Sequence, residues 1–136
     1  MSSGNSVDSL RRLFDAVQRM DTEACVAAFT EQGVMHTPCL PSTFPRTRRG
    51  AADLREVYNF LFTIVFKSFA WIDLELHATD QPNFVFARSR STAELTDGRI
   101  YSNEYACFAL IEGGLVREYT EFFDTERAIE AFKHLV

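Results

Sequence analysis

The chain has 136 residues, 46% apolar and 13% aromatic, with a formal net charge of −5. That length and apolar share suit one globular domain over 1–136 with a real core, while thinly spread basic residues, clustered only at Arg46, Arg48 and Arg49, exclude the electrostatic footprint of a nucleic-acid binder. No run approaches the roughly 18 apolar residues a membrane helix needs, and "MSSGNSVDSLRR" lacks a signal-peptide core, so no membrane partner and a cytoplasmic location are expected.

Leu10, Leu13, Phe14 and Val17 recur at helical spacing, so residues 6–19 read as an amphipathic helix. Asp21 is an N-cap for a second, short helix that uses Val26, Ala27 and Phe29 before Gly33 stops it. "GVMHTP" then reads as a short strand ended by Pro38, and the segment from Thr37 to Arg49, with three prolines and three arginines, as an irregular loop that can form a lip over a pocket. After Gly50, Leu54, Val57, Tyr58, Leu61, Phe62 and Val65 keep a helical period, and Phe60, Ile64 and Phe66 widen the apolar side into a mostly buried helix.

The second half reads as strands at about 70–79, 83–95, 100–111 and 114–124, separated by "DQPN", "TDG" and "EGG", which is hairpin chemistry for a four-stranded antiparallel meander. A last helix starts at Asp124 or Thr125 and carries Ala128, Ile129 and Phe132 on one side. Helices followed by a run of antiparallel strands define an α+β fold with helices packed on one face of a curved sheet.

"REYTEFFDT" carries charges within a strand. Period-two alternation puts Arg117, Tyr119, Glu121 and Phe123 on one face and Glu118, Thr120 and Phe122 on the other. An acid on a half-buried strand is costly unless partnered or employed, so Glu121 is either ligand-facing or neutralised by Arg117 four residues away. His36 and Cys39 have an H-x-x-C spacing, but two candidate ligands in a Pro-rich loop do not make a metal site. Cys25, Cys39 and Cys107, an odd number without CxxC spacing, read as free thiols, and His77 and His134 as surface or packing residues. Arg88 and Arg90 share a face with Glu94, either solvated, in an ion-pair network, or holding an anionic substrate.

This element order resembles the cone-shaped nuclear-transport-factor-2-like superfamily. Within it, "YSNEYACFALIEGGLVREYTEFFDT" resembles the phenazine-biosynthesis A/B proteins and the broader polyketide-cyclase-like (SnoaL-like) group, with further likeness in "AAFTEQG", the loop ending "RRG" and "DQPNF". The resemblance implies a pocket for a small, mainly apolar ring compound, working without metal or cofactor. Tyr101 and Glu121 stand where the phenazine proteins have a pocket tyrosine and the proton-shuttling glutamate.

By the same resemblance, Phe14, Tyr58, Phe62, Trp71 and Tyr119 line a cone between helices and sheet; Arg117, on the strand face of Glu121, is expected to tune the acid. Thr37, before Pro38, stands where ketosteroid isomerase carries an Asp as its general base, so that chemistry is not implied at this position, and Thr37 is expected only to line the pocket. "EACVAAF" has no arginine and "REVYNFLF" no histidine where the phenazine proteins use them, so the same substrate is not implied. A catalytic role therefore stands beside a non-catalytic ligand-binding or dimerisation module. Phe108, Leu110, Thr120 and Phe122 are a poor surface to leave in water, so the expected dimer forms through the sheet.

Overall fold

A computed structural model describes residues 4–133 of the chain, with side chains from Ser6 onward. Its elements, in order, are α1 (Gly4–Gln18), α2 (Thr22–Ala27), β1 (Phe29–His36), β2 (Thr47–Arg49), α3 (Ala51–Phe60), a π-helical turn (Leu61–Val65), β3 (Phe66–Ala78), β4 (Phe84–Leu95), β5 (Ile100–Glu112), β6 (Leu115–Phe123) and α4 (Thr125–Phe132). One six-stranded sheet runs β2-β1-β6-β5-β4-β3. The meander β3 to β6 is antiparallel throughout, and β1 joins β6 in parallel.

Helix α1 lays Leu10, Leu13 and Phe14 against the concave face, where all three are buried. Asp21 caps α2, its carboxylate accepting from the Ala24 amide at 3.0 Å. Asp124 caps α4, accepting from the amides of Glu126 and Arg127. These caps satisfy amides that a helix start otherwise leaves without partners.

Four expectations need correction. Phe29 and Gly33 belong to β1 rather than to α2. At Gly33 an added Cβ would sit 2.9 Å from Phe29 Cβ, and the register against β6 slips between Phe29 and Val34, so this glycine permits a bulge instead of ending a helix. The segment 37–49 contains a strand, since β2 pairs with β1 through Val34–Arg49 and His36–Thr47.

The expected long helix stops at Phe60, and the π-turn rotates the chain so that Phe62 and Val65 stay buried while Ile64 is 47% exposed; Phe66 already begins β3. The fourth correction concerns β6. Leu110 faces Glu118 but Ile111 faces Val116, so Arg117 is the extra residue of a bulge, exposed and out of phase with Glu121.

Candidate functional site

Alternation along β5 points Tyr101, Asn103, Tyr105 and Cys107 to the concave side, and all four are buried. From β6, Tyr119, Glu121 and Phe123 join them, with Cys107 directly opposite Glu121 in the register. Helices α1 and α3, the π-turn and the 37–49 segment close over this face and leave a cavity of about 450 Å³. Tyr101, Glu121, Thr37, Tyr58, Trp71 and Tyr119 all line it, as do Phe14 and Phe62; Arg117 does not.

The lining is held by ring contacts and a few directed hydrogen bonds. Phe14 and Trp71 meet edge to face at 4.8 Å, and the indole N–H donates to the Phe14 carbonyl at 3.0 Å. Tyr58 stacks on Phe62 at 5.9 Å and its hydroxyl donates to the Met35 sulfur at 3.6 Å. Tyr101 lies between Phe66, at 6.2 Å, and Phe132 of α4, at 5.5 Å.

Glu121 is the desolvated acid of this cavity. The Tyr119 hydroxyl donates to its Oε1 at 2.8 Å, and that is its one hydrogen bond among the described residues. Among the described residues no cation pairs with it. Desolvation pushes the carboxyl up to about 7 against a partial lowering by the Tyr119 hydrogen bond. Burial raises the phenols too, Tyr101 to about 12 and Tyr58, Tyr105 and Tyr119 well above their ordinary value, so all four stay protonated donors near neutral pH.

Asn103 fixes how Tyr101 is used. Its Oδ1 accepts from the backbone amides of Glu104 and Asp124 at 2.8 and 3.1 Å, which sets the amide orientation. Its Nδ2 therefore donates, to Tyr101 at 2.6 Å and to the Asp124 carbonyl at 3.1 Å. With its oxygen accepting from Asn103, the Tyr101 hydroxyl has its proton to donate, and the Tyr105 hydroxyl lies within hydrogen-bonding reach of it. Asn103, Tyr105 and Cys107 were not singled out from the sequence as site residues, although the alternation of "YSNEYAC" places them on the face of Tyr101.

Other polar candidates lie elsewhere. His36 pairs with Glu118 at 2.8 Å and contacts Thr47 at 3.2 Å on the outer face. Arg90 donates to Asp73 at 2.8 Å, and Lys67 pairs with Glu94 at 3.6 Å. His77 stacks on Phe86 at 6.3 Å, while His134 lies outside the described residues. Cys25 and Cys107 are buried free thiols and Cys39 is a partly exposed one. Among the described residues no three His, Cys, Asp or Glu side chains are grouped to hold a metal ion, and no helix is long and apolar enough to cross a membrane.

A cone of helices on a mixed sheet, with a mainly aromatic cavity lined by one desolvated acid, Glu121, and by the Arg48-paired Glu56, defines a small-molecule-pocket architecture. A family model of the SnoaL-like domain matches residues 10–119, and the chain belongs to that family; Glu121 lies two residues past the matched span. Three solved structures show the same nuclear-transport-factor-2-like fold. A Bacillus subtilis protein provisionally named an isomerase is 18% identical, with 98% of this chain and 96% of that one covered at a TM-score of 0.84.

A Xanthomonas campestris protein provisionally named a polyketide cyclase is 16% identical, with 96% and 98% covered at 0.80. A phenazine biosynthesis-related protein of Pseudomonas aeruginosa is 17% identical, with 100% and 88% covered at 0.78. At these identities the likeness is one of fold. Comparison with curated protein sequences gives no match.

Proposed function

We propose that the protein is a cofactor-independent acid/base enzyme of the cyclase, isomerase or ketone-condensing type, acting on an apolar ring compound that carries a carbonyl group. The observation behind this is Glu121, a carboxyl without a cation partner in an aromatic cavity, poised at about 7, where its acid and base forms coexist near neutral pH. In this scheme Glu121 takes a proton from a carbon next to the carbonyl and returns it elsewhere. Tyr101, its oxygen engaged by Asn103, donates its proton to the carbonyl oxygen as negative charge develops there. The cavity of about 450 Å³ admits a ligand of two or three fused rings.

The test is a screen of bicyclic and tricyclic ketones for α-proton exchange with deuterated solvent. Exchange by the wild type that Glu121→Gln abolishes, with an unchanged circular dichroism spectrum, is the expected result. Full exchange by that variant would remove Glu121 from the role. A non-catalytic binding module is the reading an Arg117-neutralised Glu121 beside a filled core would have favoured, and Arg117 stands off the site.

A homodimer through the outer sheet face goes with this proposal. Phe108 contacts Phe84 at 5.8 Å and Phe122 at 5.7 Å, an aromatic ladder across three strands whose Phe122 end is 38% exposed. Sedimentation at micromolar concentration should give a dimer, and a monomer there would contradict it.

A further inference from the structure

The inner faces of β5 and β6 set Cys107, Tyr119 and Glu121 in a hydrogen-bonded line. The Tyr119 oxygen is 2.8 Å from Glu121 Oε1 and 3.1 Å from Cys107 Sγ. A phenol has one proton, and an ionised carboxylate can only accept. When Glu121 is ionised, Tyr119 must therefore spend its proton on Oε1, and its oxygen is left as an acceptor towards sulfur. The donor available there is the Cys107 S–H. That thiol is fully buried, and desolvation first, then the Glu121 charge, pushes it well above its ordinary value, so it keeps its proton wherever Glu121 titrates.

We propose that Cys107 is a positioning residue for Glu121: its S–H donates to Tyr119, the polarised Tyr119 O–H pins Oε1, and Oε2 is left as the oxygen that exchanges a proton with the ligand. The proposal rests on the acid/base role of Glu121 and adds a division of labour between its two oxygens. Oε2 has no hydrogen-bond partner among the described residues, and it is not one of the buried polar atoms left unpaired. It therefore retains access to space, and the space that Glu121 lines is the cavity. Hydrogen bonds in series polarise one another, so the S–H contact strengthens the next bond in the line.

The other titratable groups set against Glu121 are Tyr58 from α3 and Tyr101 and Tyr105 from β5, all held protonated by burial. Arg48 of β2 and Glu56 of α3 line the same cavity and pair with each other at 2.7 Å. Among the described residues only Tyr119 hydrogen-bonds to the Glu121 carboxyl, so a change transmitted from Cys107 along this line passes through it.

The experiment is a carboxyl-carbon NMR titration of Glu121, assigned with Glu121→Gln, in Cys107→Ala, Cys107→Ser, Tyr119→Phe and the Cys107→Ala/Tyr119→Phe double variant. Loss of the S–H should raise the Glu121 midpoint by about half a unit in Cys107→Ala, and the stronger hydroxyl donor should lower it in Cys107→Ser. Tyr119→Phe should raise it further, and in that background Cys107→Ala should change nothing. A lowered midpoint in Cys107→Ala would mean that Tyr119 donates to sulfur instead, and would overturn the proposal.

Shifts of the same sign in the Ala and Ser variants, no shift in either, or an effect of Cys107→Ala that persists without the Tyr119 hydroxyl would overturn it equally. Should Cys107→Ala not fold, Cys107→Ser decides alone, since an unchanged or raised midpoint there refutes the relay. A wild-type midpoint near 4.5 would instead defeat the acid/base role of Glu121, which is a separate result from the opposed signs that test the relay.

Discussion

Two glutamates stand three residues apart on β6 and live in opposite environments. Glu118 projects from the outer face, 42% exposed at its side chain, and meets His36 at 2.8 Å. Glu121 projects into the aromatic cavity and, among the described residues, hydrogen-bonds only to a phenol. Water and a potential cation make the outer charge inexpensive, and their absence makes the inner one costly enough to move its ionisation to about 7. Chemical identity is the same, so the whole difference is position on the pleat. An acid becomes useful for proton transfer when its own fold penalises its charge.

The largest effect expected from breaking this contrast is on turnover. Glu121→Gln should lower α-proton exchange by a factor on the order of 100 or more, as loss of a positioned acid or base does, while Glu118→Gln should leave the rate within about twofold; parallel exchange assays check both. Next comes stability against pH. The Glu121 carboxyl is raised from 4.5 unfolded to about 7 folded, so the native state holds its proton more tightly.

The sign then follows. Below about 4.5 the group is neutral in both states; between 4.5 and about 7 the unfolded chain ionises first and native stability falls, and above 7 the deficit is constant. Urea melts should therefore show Glu121→Gln equal to wild type at pH 4 and more stable by on the order of 2 kcal/mol at pH 8. A variant less stable than wild type at pH 8 would contradict a desolvated carboxylate there.

Smaller effects sharpen the contrast. Tyr119→Phe removes the one hydrogen bond to the Glu121 carboxyl and should raise its midpoint by about one unit in the same NMR titration. Glu118→Gln should cost under about 1 kcal/mol in urea melts, with a cost that shrinks in high salt, as for other exposed ion pairs. Arg117→Ala should leave the Glu121 midpoint unmoved, and a rise there would mean that the guanidinium reaches the cavity after all.

Much of this was legible in the sequence. The meander from β3 to β6 followed from turn chemistry between alternating runs, and the ends of β4 and β5 fell within a residue of expectation because "DQPN" and "TDG" bound them tightly. The concave orientation of Tyr119, Glu121 and Phe123 followed from period two. Arg117 did not follow, because a bulge shifts the phase between Val116 and Glu118, and a bulge belongs to the pairing of two strands rather than to one. Gly33 misled for a related reason: a helix stop and a bulge both ask for glycine. The helical period from Leu54 to Phe66 hid a π-turn, since burial on several sides looks alike whether or not the helix continues.

What the sequence determined by itself was local: which residues alternate, where the chain turns, that Asp21 caps α2 and that α4 starts at Asp124 or Thr125, and that an acid sits among aromatics on β6. Only the tertiary structure decided that β1 lies parallel to β6, that Cys107 faces Glu121 across β5 and β6, and that Asn103 reaches both Tyr101 and the start of α4. Those arrangements join residues distant along the chain. Their energies come from exclusion of water and from hydrogen-bond partners that exist only once the sheet has bent and the helices have closed over it.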